Sequence, residues 1–272
     1  MTRIAVLQMT SGIDPDENSA TISGAAERAD GEGAAMLFTP EMSGLLDRDR
    51  GRAAGRIVDE GNDRTLARAR EDAARLGLWI CLGSLAVAVG DRWANRSFVI
   101  DAKGDIAARY DKIHMFDVDL ESGESWRESN AYQAGAEAVT VQTPIGKLGL
   151  AVCYDLRFPA LFDALGQAHC DAISIPAAFT VPTGRAHWHV LQRARAIEAS
   201  AFVIAAAQSG HHQDGRETFG HSLVIDPWGE VVLDMGTKAG LSFAEIDPQR
   251  TEKARRQVPS LANRRPIASS AQ

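Results

Sequence analysis

The feature that most limits what this chain can fold into is an alternation of short apolar runs with longer amphipathic stretches, beginning with runs at residues 4–9, 36–39 and 78–82. Runs this short and rich in Val, Ile and Leu read as buried strands. Between the first two lies DPDENSATISGAAERAD, with an Asp-Pro entry and helical spacing. NDRTLARAREDAARLG follows, with an Asn or Asp cap and a Gly stop. The resulting β-α-β-α-β order predicts an α/β protein in which helices pack on a sheet.

Further on, NRSFVIDAKGDIAARY reads as two strands joined around Ala102 to Gly104, a hairpin. Strand signals recur at 147–152, 171–175, 202–207, 221–226, 231–234 and 241–246, and helices are expected over 158–167 and 187–200. One echo stands out: Ser97-Phe-Val-Ile-Asp101-x-x-Gly104 matches Ser222-Leu-Val-Ile-Asp226-x-x-Gly229. If the echo marks related halves, two similar sheets packed face to face with helices outside both would bury the apolar faces in a single domain over 1–272. The plainer alternative is two ordinary hairpins. Only the closing ASSAQ, 268–272, reads as loose.

At 272 residues and 45% hydrophobic, the chain can bury a sizeable core. Its net charge of -7 offers no broad basic field for nucleic acid or anionic lipid. The opening MTRIAVLQMTSG falls far short of the ~20 apolar residues of a membrane helix, and no signal peptide is read there. Cys81, Cys153 and Cys170 lie far apart, and an odd count without an export signal reads as thiols in a reducing, cytoplasmic compartment.

Cys153 in KLGLAVCYDLRFP ends an apolar strand just before a helix start, a geometry that exposes a thiol and aims the following N–H groups at a developing oxyanion. A buried packing thiol is the competing reading, and the one adopted for Cys81 and Cys170. A thiol with pKa near ~8.5 needs a base or a positive neighbour. No histidine stands out as that base, and none has the spacing of a zinc motif, so no metal and no cofactor are expected. Glu41, in LFTPEMSG after a strand that stops at Pro40, is a candidate acid; DAISIPAAFT also runs from a strand into a proline, so the two ends could converge. Glu41 could equally be a solvated loop residue, and Lys112 in RYDKIHMFD an exposed charge. Spacing does not bring the three together.

Taken in order, FTPEMSG, YDKIHMFDVDL, WRESNAYQAG, GLAVCYDLRFP, IPAAFTVPTGRAHWHVLQRARAIE, GHSLVIDPWGE and RRQVPSLANRR resemble the carbon-nitrogen hydrolase, or nitrilase, superfamily over almost the whole chain. The resemblance implies a four-layer α-β-β-α sandwich and a catalytic set matched by Glu41, Lys112 and Cys153. Glu128 matches a second glutamate that orients the lysine, and Lys112 with the Tyr154 N–H would hold the oxyanion. It implies pairing through helices into at least a homodimer.

CYDLRFP, PAAFTVPTG and HWHVLQRARAIE look like the branch that acts on 2-oxo acid amides and includes deaminated glutathione amidase and ω-amidase. In that branch Arg157 would hold a substrate carboxylate, and guanidinium does offer a bidentate fork to that group. Phe179 and Thr183 match positions that shape the pocket, with ordinary packing as the alternative. The expected reaction is hydrolysis of the terminal amide of a small carboxylate-bearing molecule, with release of ammonia; deaminated glutathione is preferred over 2-oxoglutaramate. The rivals are a nitrile or N-carbamoyl amine hydrolase, and a catalytically silent binding or assembly protein of the same fold.

Overall fold

A computed structural model describes residues 1–119, 121, 123 and 125–266, so the expectation of a loose 268–272 lies outside the described residues. The first half runs β1 (Thr2–Gln8), α1 (Pro15–Gly31), β2 (Met36–Phe38), α2 (Arg50–Ala54), α3 (Arg64–Leu76), β3 (Trp79–Val89), β4 (Arg92–Ile100) and β5 (Ile106–Asp111). A connecting stretch holds β6 (Asp117–Asp119), β7 (Ser125–Arg127), β8 (Tyr132–Gln133) and β9 (Thr140–Thr143). The second half runs β10 (Gly146–Leu150), α4 (Pro159–Gln167), β11 (Ala172–Ser174), α5 (Val181–Ala199), β12 (Phe202–Ala205), β13 (Ser209–His211), β14 (Glu217–Phe219), β15 (Leu223–Ile225) and β16 (Val231–Asp234). β17 (Gly240–Ile246) and α6 (Pro248–Gln257) follow.

The two main sheets have one topology. In the first, β1, β2 and β3 are parallel, β4 and β5 are added antiparallel, and β17 closes the β1 edge antiparallel. In the second, β10, β11 and β12 are parallel, β15 and β16 antiparallel, and β9 closes the β10 edge. The echo sits at matching points of this plan. The Asp101 carboxylate accepts the Lys103 and Asp105 N–H groups at 2.8 and 2.9 Å, and Asp226 accepts those of Trp228 and Glu230, both at 2.9 Å. Gly104 and Gly229 both take the left-handed conformation, φ +82° and +84°. Both hairpins shift register at the same place, Val99/Ile100 and Val224/Ile225. The hairpins are therefore counterparts within a repeated scaffold.

Alternation along the first sheet builds the layers. Ile4, Val6, Met36 and Phe38 share one cluster with Leu148, Leu150, Ile173 and Val203 of the second sheet, whereas Ala5, Leu7, Leu37 and Ile80 pack with Ile22 of α1 and Leu66 and Ala69 of α3. Phe162 of α4 and Trp188 of α5 complete the other flank. Helices outside two facing sheets make the four layers, each stabilised by side chains worth roughly 1.5–3 kcal/mol apiece when fully buried.

Sequence punctuation accounts for most helix ends. The Asp14 carboxylate accepts the Asp16 N–H at the start of α1, Asp63 accepts the Leu66 N–H at the start of α3, and α3 stops at Gly77 with φ +66°. Helix α5 departs from expectation by starting at Val181, six residues before 187. Pro182 suits a first turn, where its missing N–H is not needed. Gly184 lies within the helix at a point where a Cβ would come 2.3 Å from the Phe219 ring. The Pro-Thr-Gly string is an entry with a close contact, and it does not break the helix.

Candidate active site

Strand β10 leads through Ala151 and Val152 to Cys153, which starts a single 3-10 turn, Cys153–Arg157, ahead of α4. The Ala151 N–H binds the Ser174 carbonyl at 3.0 Å and the Cys153 N–H the Pro176 carbonyl at 2.9 Å, so pairing with the neighbouring strand continues to the thiol. Cys153 then turns into the left-handed region, φ +49°. That conformation costs a residue with a Cβ about 1–3 kcal/mol and is held only by its surroundings.

Asp155 does the holding. Fully buried, it accepts the Val152 N–H at 2.9 Å, the Tyr110 hydroxyl at 2.7 Å and the His114 N–H at 3.0 Å, clamping the cysteine turn to the strand end that carries Lys112. The Tyr154 N–H, next after the thiol, donates to no backbone carbonyl among the described residues.

Glu41, Lys112 and Glu128 meet Cys153 in one place. Lys112 Nζ lies 3.1 Å from Glu41 Oε1 and 2.8 Å from Glu128 Oε2. The Ala178 N–H donates to Glu41 Oε2 at 2.9 Å, which is the predicted convergence of the two proline-terminated strand ends. The Phe116 N–H holds Glu128 Oε2 at 2.7 Å. Sequence reading missed Asn95, on β4, whose side-chain NH2 donates to Glu41 Oε1 at 2.9 Å and Glu128 Oε1 at 3.1 Å, while its carbonyl takes the Lys112 N–H. With two carboxylates facing it, the amide must present nitrogen there. Nothing in the local sequence distinguishes this Asn from a mid-strand polar residue; Asp155, inside CYDLRFP, was within reach.

Lys112 is 2% exposed and Glu41 4%, so each charge survives only because the other is there. Burial works against the ammonium, but Glu128 and Glu41 outweigh it and hold Lys112 well above the ordinary lysine value. Burial, then the adjacent Glu41 carboxylate, push the Cys153 thiol up, against the pull of Lys112 and the Ala178 N–H. The resting site is thus a neutral thiol beside a carboxylate and an ammonium. Such a set suits proton transfer to the acid as sulfur attacks, with the ammonium ready for negative charge on oxygen.

Cys153, 7% exposed, opens with these groups onto a cleft of about 170 Å³ also lined by Tyr154, Arg157, Phe179 and Thr183. Arg157 lies over the Phe179 and Tyr154 rings at 5.4 and 5.9 Å and donates to the His187 ring at 3.2 Å. Phe179 packs on Trp188 at 4.9 Å, and the Thr183 hydroxyl is 2.8 Å from that of Thr180. Trp126, Arg48 and Arg216, which sequence reading did not single out, line the same cleft. Among the described residues the group with metal-ligand composition is His189, His221 and Asp234, whose ligand atoms lie within 4.8 Å of one another and which lies off the cleft. His189, His221 and Asp234 lie far apart in the sequence, outside any zinc-motif spacing, so that cluster was not anticipated. Among the described residues no helix is long and apolar enough to cross a membrane.

Comparison with known proteins agrees in extent. The family profile described as "Carbon-nitrogen hydrolase" matches residues 3–256. A Yersinia enterocolitica protein named deaminated glutathione amidase is 38% identical over 273 residues, covering 98% of this chain and 94% of that protein. The crystal structure of the C. elegans NitFhit protein superposes with a TM-score of 0.90 at 36% identity, over 97% of this chain and 65% of that longer one. Saccharomyces cerevisiae Nit3, described as a member of branch 10 of the nitrilase superfamily, gives a TM-score of 0.85 at 26% identity, over 95% of this chain and 94% of that one.

Proposed function

Because this chain belongs to the carbon-nitrogen hydrolase family, enzymes that hydrolyse carbon–nitrogen bonds other than peptide bonds, we propose that it is an amidase with Cys153 as nucleophile, Glu41 as proton carrier and Lys112 as oxyanion donor. The observation that carries this is the buried Glu41–Lys112–Glu128 network at the foot of the cleft beside a thiol held in a left-handed turn. Sulfur attacks the amide carbon as Glu41 takes the thiol proton. The oxyanion forms against Lys112 Nζ and the Tyr154 N–H. Collapse breaks the C–N bond, Glu41 delivers the proton to the departing nitrogen, and a thioester remains. Water, deprotonated by Glu41, adds to the thioester; the second collapse expels the thiolate, which regains its proton from Glu41. Glu128 and Asn95 position Lys112 and Glu41.

Deaminated glutathione is the preferred substrate, on the relatives' names and on Arg157 lining the cleft. This choice corrects the expected product. Glutathione with its amino group replaced by an oxo group is a 2-oxoglutaryl unit joined by a secondary amide to a peptide, so its hydrolysis releases an amine; ammonia would come from 2-oxoglutaramate. The assay that decides measures 2-oxoglutarate release from both, alongside simple amides, nitriles and N-carbamoyl compounds. Turnover led by the 2-oxo acid amides and lost in Arg157→Ala supports the reading. Turnover led by a nitrile or N-carbamoyl compound, or no turnover with an inert Cys153, contradicts it.

The catalytic set draws on both sheets, which supports treating 1–272 as one catalytic domain. Three free cysteines fit a cytoplasmic protein. A homodimer is proposed through the outer face of α5, where Val190, Ile197 and nearby Trp228 are 68%, 51% and 58% exposed. Light scattering on the eluting protein should give twice the chain mass.

A further inference from the structure

The chain is acidic, yet its cleft is not. Five arginines and Lys112 line it, against Glu41, Asp47, Glu128 and Glu217. Much of that charge is already matched: Lys112 by Glu41 and Glu128, Arg127 by Asp119, and Asp47 by Arg52 outside the lining. Arg50 donates to the Arg127 carbonyl. Arg157, Arg48 and Arg216 keep donors to spare. Among the described residues Arg157 meets only rings, and Arg48 makes its hydrogen bond to Asp214 through the backbone N–H and has no side-chain partner. Arg216 binds Asp214 through Nε at 2.7 Å, leaving its two terminal NH2 groups without a protein acceptor among the described residues.

Arg157 and Arg216 stand at opposite ends of a row of aromatic rings. Arg157 is 5.9 Å from the Tyr154 ring, Tyr154 is 5.1 Å from Phe116, Phe116 is 6.3 Å from Trp126, and Arg216 is 5.0 Å from Trp126. The reacting groups border this row at its centre, because Tyr154 follows Cys153 and the Phe116 N–H binds Glu128. At the Arg216 end the Trp126 indole N–H is buried and has no acceptor among the described residues. A donor taken out of water in that way is costly unless a ligand accepts from it.

We propose that Arg216, Arg48 and the Trp126 indole form a second anion subsite, for a carboxylate on the amine half of the substrate, while Arg157 takes the carboxylate on the acyl half. This rests on the amidase reading above and sharpens it. The substrate class is a secondary amide with a carboxylate at each end, spanning the aromatic row with its amide over Cys153. The C–N bond breaks as before, Glu41 gives its proton to the nitrogen, and the departing group is an amino acid or short peptide amine carrying its own carboxylate. Local guanidinium groups also draw a dianion into a protein of net charge -7.

The test uses the intact protein and three substrates with one 2-oxoglutaryl group: deaminated glutathione, the same molecule with its far carboxylate converted to a carboxamide, and 2-oxoglutaramate. Arg48→Gln changes an exposed, unpaired side chain and should leave the thermal midpoint unaltered; Arg216→Gln is the stronger perturbation. Wild type should show a KM for deaminated glutathione at least about tenfold below that for the carboxamide form. Each variant should raise only the KM for deaminated glutathione, by roughly 10- to 100-fold, as expected for losing a charge-assisted hydrogen bond. Their kcat values and their handling of the other two substrates should stay within about twofold. Equal wild-type KM values for the two long substrates, or variants that weaken all three substrates alike or none, would overturn the subsite while leaving the amidase reading standing. No turnover of any of the three would remove both.

Discussion

The strand ends after β2 and after β11 are the same turn carrying different contents. Each runs into a proline, Pro40 and Pro176, and the two press together on Gly83, where a Cβ would lie 2.4 Å from the Pro40 oxygen and 2.7 Å from the Pro176 ring. Past Pro40 the first half places the Glu41 carboxylate. Past Pro176 the second half places Ala177 and Ala178, which offer a backbone N–H, and that N–H binds Glu41. The ends of β1 and β10 differ in the same way. Met9, five residues beyond Ile4, bridges to Gln208; Cys153, five residues beyond Leu148, becomes the thiol that lines the cleft. A repeated scaffold thus brings four strand ends together, and each half supplies reactive side chains where the other supplies backbone.

The largest effect should separate Cys153 from its counterpart. Cys153→Ala should lower kcat by at least about 10⁴-fold with little loss of stability. Met9→Ala should do the reverse, costing about 2–5 kcal/mol in a denaturant titration while the folded fraction keeps its kcat. If Met9→Ala were as inactive per folded molecule as Cys153→Ala, the division of labour would be wrong. Next comes Lys112→Met, which should lose about 100- to 1000-fold in kcat through the missing oxyanion donor. It should also lose roughly 3–5 kcal/mol of stability, because Glu41 and Glu128 are left buried without their cation.

The three thiols give the following contrast. Burial pushes Cys81 up to about 11 and Cys170 up to about 12, and both sit sealed in the core. Cys153 is also raised, by burial and Glu41, but it lines the cleft. Iodoacetamide should therefore label Cys153 alone, and its rate should keep climbing, up to about tenfold per pH unit, past pH 9, where an ordinary thiol levels off. A plateau between pH 8 and 9 would mean an unperturbed thiol. The smallest effect compares the echoed turns. Gly104→Ala would set a Cβ 2.6 Å from the Arg70 carbonyl oxygen, whereas Gly229→Ala meets the movable end of Ile197 at 2.7 Å. Both should destabilise, by about 1–2 kcal/mol for the left-handed conformation, with Gly104→Ala the worse by urea midpoint.

Much of this was legible in the sequence because local rules agreed with the global plan. Short apolar runs, an Asp-Pro entry, an Asn or Asp cap and a Gly stop gave the β-α order, and the Ser-x-Val-Ile-Asp-x-x-Gly echo pointed to two related halves. Cys153 and Glu41 could be picked as candidates from their strand ends, but only a resemblance spread along the chain joined them to Lys112 and Glu128, since no local signal places residues 112 positions apart in one cavity. Asn95 stayed hidden because its work is done by a chain-distant pair of carboxylates. Its counterpart at the echo offset is Gly220, so the repeat gave no hint. The small hairpins, β6 with β7 and β13 with β14, are too short for periodicity to register. They supply Trp126 and Thr218 to the cleft, so what shapes the pocket was less readable than what reacts in it.

The central claim is that the amide's acyl group passes through Cys153. The most direct measurement is mass spectrometry of acid-quenched protein, digested after milliseconds of turnover of deaminated glutathione. A 2-oxoglutaryl adduct on the peptide containing Cys153, appearing and decaying with turnover and absent from Cys153→Ala, is the predicted result. Steady turnover with Cys153 unmodified at every time point, or an adduct on another residue, would contradict it.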